Sequence, residues 1–405
     1  MSRKIIVIGG GASGMMAAIT AARQGARVTL LEKNRQVGKK LLVTGNGRCN
    51  FTNRNQNKDK YRTDCPELVR HALEAYSMPD TVGFFEELGI LIKDRSGYLY
   101  PGSGQAASIA EVLRLELLRL QVKVSCNTEV LSVEKQGDKF AVKTEGWNYE
   151  ADAVILACGS RAAPETGSTG DGYRFATELG HTLIPPLPAL TGLYAAEKDC
   201  GKLSGVRQDA VLTMQVGKDR FTEEGEVQFT SYGLSGIPVF QLSRYAAKAL
   251  EQGQTCEILM DLHPERTREL LYVWIQGRLP HTGGRSGTDA LLGMFPEKLS
   301  QVLLERAGIS LKKKAGDWTE QELMRLVSRI KELRFTITRC RGYEQAQVCT
   351  GGVPLTELQG ITMESAHVPG LYFAGELLDV DGACGGYNLQ WAWTSGYLAG
   401  FHAVL

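Results

Sequence analysis

Residues 5–32 read IIVIGGGASGMMAAITAARQGARVTLLE, and the order of parts within them decides the fold. Ile5 to Ile8 form a short apolar run of the kind buried in parallel sheets. The turn Gly9-Gly10-Gly11-Ala12-Ser13-Gly14 follows at once, then a small-residue run, Met15 to Arg23, that predicts a helix. A second strand is predicted from Arg27 to Leu31, closed by the acid Glu32. In such a pattern Gly9 permits the tight turn, Gly11 lets the backbone approach a pyrophosphate, and Gly14 lets helix pack closely on strand. Free N–H groups at the helix start then face the phosphates. Glu32 stands 18 residues past Gly14, where a carboxylate accepts hydrogen bonds from ribose hydroxyls. The sequence predicts a dinucleotide site.

A chain of 405 residues is long for one core and predicts two or three domains. Hydrophobic content of 43% and charged content of 22% are ordinary for a globular protein. The net charge of +1 gives no general attraction to nucleic acid or acidic lipid. The nine cysteines include no C-x-x-C pair and no zinc spacing, so no metal site is expected. An odd, scattered set fits reduced thiols and a cytoplasmic location. Arg3-Lys4 before an apolar stretch imitates a signal peptide, but the glycine turn breaks that stretch, so export is not expected. No segment reaches the 18 or so apolar residues of a membrane span, so no membrane partner is expected.

Downstream organisation favours FAD over NAD as the resident dinucleotide. After a helical stretch, Ala106 to Leu120, residues 122–157 read as a meander. Its β-prone runs are 122–124, 130–134, 139–143 and 153–157, separated by turns at 136–138 and 145–146. A three-stranded insertion followed by a strand ending ILACGS resembles glutathione-reductase-like FAD domains. Residues 370–380, GLYFAGELLDV, resemble the second FAD motif of that superfamily, with Glu376 where an Asp is usual. A second fingerprint, Gly102-Ser103-Gly104-Gln105-Ala106-Ala107, follows Pro101 and lacks a closing acid, so it is not expected to hold a nucleotide. Without a separate NAD(P)H domain, either NAD(P)H visits the flavin as a transient reductant or the substrate itself reduces the flavin.

Four more glycine-rich, polar segments suit contact with a ring system. They are 44–53 (TGNGRCNFTN), 167–173 (GSTGDGY), 228–236 (QFTSYGLSG) and 381–390 (DGACGGYNLQ). The second resembles the T-G-D-G segment of flavoprotein fumarate reductases. Together GGGASGMMAA, VTGNGRCNFTN, GSTGDGY, TGGVPL, VPGLYFAGELLDVDG and GGYNLQWAWTSGYLAG resemble the BaiN/YhiN family of bacterial flavoproteins over essentially the whole chain.

That resemblance implies an α/β protein: a split Rossmann-like, glutathione-reductase-type FAD domain with an inserted small β-barrel domain and a helical subdomain. The expected segments are 1–187 and 354–405 for the FAD domain, 188–260 and 334–353 for the barrel, and 261–333 for the helical insert. Flavin contacts implied by the resemblance are Gly9, Gly11, Ala12, Ser13, Gly14, Glu32, Lys33, Lys40, Asn46, Gly47, Val130, Ala157, Gly375, Glu376, Gly386, Asn388 and Leu389. Family activities differ: NADH-dependent reduction of a uridine in 23S rRNA, reduction of ring C=C bonds in 3-oxo bile acids, and oxidation of aminoacetone by O₂. Many members carry Thr-His where this chain has Thr230-Ser231, and Thr where it has Cys384.

The middle of the chain agrees when read alone. Residues 188–260 contain short alternating runs, and from Leu262 the period becomes helical. Thr319 and Glu322 form a capping box, with Leu323, Leu326, Val327, Ile330 and Leu333 on one face. Residues 261–341 hold 15 Lys+Arg against 10 Asp+Glu, an excess that is either a solvated face or a surface for RNA or nicotinamide phosphate.

The chemistry expected is hydride transfer from NAD(P)H through the flavin to a C=C bond conjugated to a carbonyl, in a small-molecule enone or in rRNA. The adjacent carbon then needs a proton from a general acid. Arg48 is the candidate for holding the substrate carbonyl or an anionic flavin. Cys49, Cys384 and Tyr387 are the candidate proton donors by motif position. The alternatives are an amine oxidase of the aminoacetone type, reoxidised by O₂, and an RNA-binding protein with structural FAD.

Overall fold

The computed structural model describes residues 2–405. The chain divides into two compact units, residues 1–187 with 347–405, and residues 188–346.

In the first unit a parallel sheet runs in the order Leu371–Phe373, Ala153–Leu156, Lys4–Ile8, Arg27–Leu31, Lys123–Ser125. The first strand is central and four of its five residues are buried, as its unbroken apolar run requires. The C-terminal strand joins through Ala153–Leu156, so both ends of the chain feed one sheet. A three-stranded antiparallel meander, Val130–Gln136, Lys139–Thr144 and Asn148–Ala151, precedes the strand Ala153–Leu156. Its last strand was not among the β-prone runs read from the sequence; Tyr149 opposite Val142 and Ala151 opposite Phe140 supply the pairing. Lys123–Ser125, read as the start of the meander, is instead the edge of the parallel sheet. Strand Tyr98–Pro101 pairs antiparallel with its neighbours, so the Gly102–Ala107 motif does not follow a parallel strand.

Two helices cross at the back of this unit, Ala12–Arg23 and Tyr387–His402. A Cβ on Gly396 would lie 2.4 Å from the Ser13 carbonyl oxygen, and one on Gly400 would lie 2.4 Å from that of Ala17. One helical turn separates each pair, so two glycines form the notch that receives the first helix.

The second unit is built on a closed, antiparallel six-stranded barrel. Its order is Leu193–Ala195, Gly233–Ser235, Asp219–Thr230, Arg207–Val216, Cys256–Asp261, Leu333–Cys340, and back to the first. Between the last two strands the chain forms helices including Arg268–Gln276, Glu297–Arg306 and Glu320–Lys331. The Thr319–Glu322 capping box is present, and Leu323, Leu326, Val327 and Ile330 are buried. Helices and barrel share one hydrophobic core. The return segment differs from its expected bounds: the closing strand is Leu333–Cys340, the unit ends at Ala346, and Val348–Gly352 pairs with Ile184–Ala189. A glycine explains that departure, since Gly351 packs so closely on Pro185 that a Cβ would sit 2.3 Å from its carbonyl oxygen. Among the described residues no helix is long and apolar enough to cross a membrane.

Candidate flavin site

The carboxyl ends of the parallel strands bring the first unit's motifs together, which is where ligands bind in open α/β sheets. Gly9 has φ +104°, and its missing side chain leaves room for the Ala157 carbonyl oxygen, 2.4 Å from an ideal Cβ. Gly14 is tighter still, with the Gly9 oxygen 1.9 Å from an ideal Cβ. Gly11, by contrast, would meet nothing within 4 Å. It caps the first helix with no side-chain hydrogen bond and no acid in the first turn, so the amides of Ala12 and Ser13 have no side-chain acceptor. The structure thus presents a helix start open to an anion, with Gly11 offering backbone rather than bulk.

Glu32 is buried at the end of the second strand. It accepts from Gly10 N at 2.7 Å and from Asn34 N and Nδ2 at 2.8 and 2.7 Å. Three of a carboxylate's roughly four acceptor positions are thereby used, leaving one for a ribose hydroxyl. Lys33 bonds to Thr169 and Asp171, which draws the GSTGDGY segment to the site. Beside Lys33 opens a recess of about 530 Å³ with Thr128, Glu129, Trp147 and Tyr149 in its wall. Val130 is buried as the first residue of the meander.

The second FAD motif meets the first. An ideal Cβ on Gly375, whose φ is +75°, would lie 2.4 Å from Ser13 Oγ. Gly375 N donates to Ser395 Oγ at 2.9 Å, and Trp391 Nε1 donates to the Gly375 oxygen at 3.2 Å. The next residue, Glu376, accepts from Lys40 at 2.6 Å and Ser160 Oγ at 3.0 Å, both on Oε2. Its Oε1 has no protein donor among the described residues, so the longer acid keeps an acceptor for a ribityl hydroxyl.

The C-terminal helix begins at Gly386, φ +94°, again with no side-chain cap and no acid in its first turn. Asn388 closes the preceding turn, accepting from Gly382 N at 2.7 Å and donating to Gly382 O at 2.9 Å. Leu389 beside it is half-buried. Segment 44–53 seats on this helix start. A Cβ on Gly386 would fall 2.7 Å from Thr52 C and 3.0 Å from Asn50 Oδ1, a buried acceptor without a partner. Asn46 and Gly47 both have positive φ, and Gly47 O accepts from Ala106 N. Two uncapped helix starts, an orphaned buried acceptor and glycine notches fit a dinucleotide bearing a polar ring.

The four candidate reaction residues separate. Cys49 is fully buried, its thiol pushed up to about 12 by burial against a smaller opposing hydrogen bond to Thr44. It packs in the hydrophobic core of the first unit. Arg48, next to it, is exposed. Tyr387 is buried edge-on to Tyr61 with ring centroids 5.8 Å apart, and burial, reinforced by Tyr98, raises its phenol above the usual range. Cys384 is half-buried on the same turn. Trp391 and Trp393 are positioning residues, each fully buried and bonded to backbone, Trp393 to Phe51 O at 2.9 Å.

Sequence reasoning missed Ser160, Asn34 and Ser395, none of which lies in a dinucleotide pattern. It also missed Arg62, placed opposite the buried Asp381 by strand pairing. A further grouping, His181 with Glu357, Ser365 and His367, was not legible either. Both ring nitrogens of His181 are engaged, Nδ1 with Glu357 and Nε2 with Ser365, each at 2.8 Å. Segment 228–236 lies in the second unit, as a hairpin between Asp219–Thr230 and Gly233–Ser235.

These features define an FAD-dependent oxidoreductase with a Rossmann-type nucleotide domain. Residues 3–402 match the model of the HI0933-like protein Rossmann domain, and the chain belongs to that family. It is 42% identical to 3-dehydro-bile acid delta(4,6)-reductase of Clostridium scindens, over 98% of each chain. It is 32% identical to ribosomal RNA dihydrouridine synthase of Haemophilus influenzae, over 97% of this chain and 96% of that one. The fold is shared with 3-ketosteroid delta1-dehydrogenase of Sterolibacterium denitrificans, solved with 1,4-androstadiene-3,17-dione, at TM-score 0.51, 15% identity and full coverage of both chains.

Proposed function

We propose that the chain catalyses NAD(P)H-dependent reduction of a C=C bond conjugated to a ring carbonyl, in a 3-oxo bile-acid or steroid-like substrate. The observation that carries this reading is the 42% identity, sustained over 98% of both chains, to a reductase named for that chemistry. Bound FAD supplies two-electron hydride chemistry at the electrophilic carbon. The chain's part is to hold that group through Gly9 to Gly14, Glu32, Lys40 and Gly375-Glu376, and to favour negative charge near the start of the C-terminal helix. Overall NAD(P)H leaves as NAD(P)⁺, one carbon of the double bond gains the hydride, and its neighbour gains a proton. Tyr387 is our assignment for that proton donor, because it is the first residue of the C-terminal helix, beside the glycine turn that meets segment 44–53.

The rRNA reading draws less support from the second unit than its charge implies. Lys313 pairs with Glu322 at 2.7 Å, Lys331 with Asp261 at 2.6 Å, and Arg334 with both Glu257 and Glu332. Arg325 Nε donates to the Ala307 carbonyl at 2.8 Å. Several of the basic side chains are therefore held by partners inside the unit.

Anaerobic stopped-flow tests the proposal. NADH or NADPH should bleach the flavin rapidly, and a 3-oxo-4,6-diene bile acid should restore its colour, with one C=C bond reduced for each flavin reoxidised. Bleaching by aminoacetone alone would replace the reductase with an oxidase. Loss of dihydrouridine from 23S rRNA in a deletion strain would move the substrate to RNA. Tyr387→Phe should slow reoxidation by the enone by about 10²-fold or more while leaving bleaching by NAD(P)H in place.

A further inference from the structure

In the second unit, Arg339 lies in the closing barrel strand Leu333–Cys340 and Arg341 directly follows its end. Register places Arg339 opposite Tyr194, with its guanidinium carbon 3.9 Å from the ring centroid. The Arg341 guanidinium lies 4.9 Å from the centroid of Tyr232, and the two tyrosine rings are 5.0 Å apart.

The glycine beside them sets this geometry. A Cβ on Gly192 would fall 2.7 Å from Tyr232 Oη and 3.3 Å from Arg341 Cδ. Arg341 N donates to the Gly192 oxygen at 2.9 Å, pinning the strand end to that segment.

What distinguishes the pair is what it lacks. Arg341 Nε is buried with no hydrogen-bond partner, and so is the fully buried Thr191 hydroxyl next to Gly192. Glu344 folds against Gly342, and among the described residues no carboxylate is paired with either guanidinium. Elsewhere in the unit, Arg306 is paired with Asp199 and Arg207 with Glu226. An arginine whose guanidinium lies over a ring can offer its outer N–H groups to in-plane acceptors, the fork that matches carboxylate and phosphate. Two such guanidinium groups over neighbouring rings, with no acid between them, repel one another until an anion arrives.

We propose that Arg339 and Arg341, held by Tyr194 and Tyr232, form an oxyanion-binding site for a carboxylate or phosphate. Binding of an anion does not rest on the reductase reading; tracing that anion to a reactant does.

The test begins without turnover. The intact holoenzyme is titrated calorimetrically with inorganic phosphate and, separately, with cholate, at low and high salt. At least one probe should bind in low salt, and Arg339→Gln/Arg341→Gln should weaken it about tenfold or more. Gly192→Ala should weaken it too, by displacing Tyr232 and Arg341. Arg339→Gln alone, at an exposed position, keeps the test open where the double variant fails to fold. Binding equal to wild type in the single and double variants overturns the proposal.

Kinetics then distinguish the sources. A rise in KM for an acid-bearing 3-oxo-4-ene steroid but not for a neutral one assigns the site to the substrate carboxylate. A rise in KM for NAD(P)H with either steroid assigns it to the reductant's phosphates. Loss of probe binding with every KM unchanged assigns the site to an anion that neither reactant carries. The titration needs no redox chemistry, so anion binding is decided even where no enone is reduced.

Discussion

Gly11 and Gly14 lie three residues apart in one motif, yet a methyl group would meet opposite surroundings at the two. At Gly14 it would sit 1.9 Å from the Gly9 oxygen, so Gly14→Ala must push the helix off the strand, at about 1–3 kcal/mol of stability. At Gly11 it would meet nothing within 4 Å, and φ is an ordinary −77°. Gly11→Ala should therefore leave the melting temperature of apoprotein unchanged while weakening FAD about tenfold or more, because the methyl occupies the path of the pyrophosphate. Melting curves and flavin-fluorescence titration separate the two effects; wild-type affinity in Gly11→Ala would contradict a phosphate path at that residue. A second test concerns His181. Burial lowers its pKa below the usual histidine range, against the opposing pull of the Glu357 carboxylate. Ser365 Oγ already accepts from the amides of His367 and Val368, so its proton goes to His181 Nε2 and the ring stays neutral, with Nδ1–H toward Glu357. A neutral native ring and a protonated unfolded one make stability fall as pH drops below about 6.5 toward the depressed native value. Melting temperature should decline across that window in wild type and less steeply in His181→Gln. The variant should also be about 1–3 kcal/mol less stable at pH 8, having lost a buried partner for Glu357 and Ser365. Equal slopes would remove His181 as the source.

At the level of elements, the crossing of the two long helices governs whether the two FAD motifs meet. Gly400→Ala would put a methyl 2.4 Å from the Ala17 oxygen, forcing the helices apart at about 1–3 kcal/mol and shifting the Gly375–Ser395 contact that seats the second motif. Gly83, in the helix Met78–Glu87, would meet nothing within 4 Å, so Gly83→Ala should stabilise by about 0.5–1 kcal/mol through helix propensity alone. Denaturant midpoints and FAD retention check the contrast; a neutral Gly400→Ala would show the crossing to be loose. The same helices show what the sequence discloses. The amino-terminal strand, turn, helix and acid were legible because each is local: apolar run, glycine spacing and chain distance fix them without the rest of the molecule. The Thr319–Glu322 capping box was legible for the same reason. The strand Asn148–Ala151 was not, because its pairing comes from Val142 and Phe140 across the meander. Lys33 with Asp171 and Lys40 with Glu376 join residues far apart in the chain, so each depends on the completed sheet. Cys49 belonged to the right motif but points into the core, a matter of side-chain direction that spacing does not encode.

Across the whole molecule, each unit closes its own hydrophobic core, one among the parallel sheet and its helices, the other inside the barrel and its helical insert. Separate cores predict separate cooperative transitions. Every residue assigned to FAD, from Gly9 to Leu389, falls in the first unit, and both arginines of the anion site fall in the second. A ligand that binds only folded protein stabilises what it binds by RT ln(1 + [L]/Kd), about 2.7 kcal/mol at a hundredfold excess over Kd. For a unit of this size that corresponds to roughly 5–10 °C. Calorimetry of the apoprotein should then resolve two transitions. Adding FAD should raise one by that amount and leave the other in place, whereas whichever of phosphate and cholate binds the arginine pair should raise the second. Limited proteolysis during the scan identifies them, since fragments from residues 188–346 should survive or disappear with the anion-sensitive peak. A single transition that moves as a whole with FAD would mean that the two cores unfold together, and the mapping of ligand to unit would have to be given up.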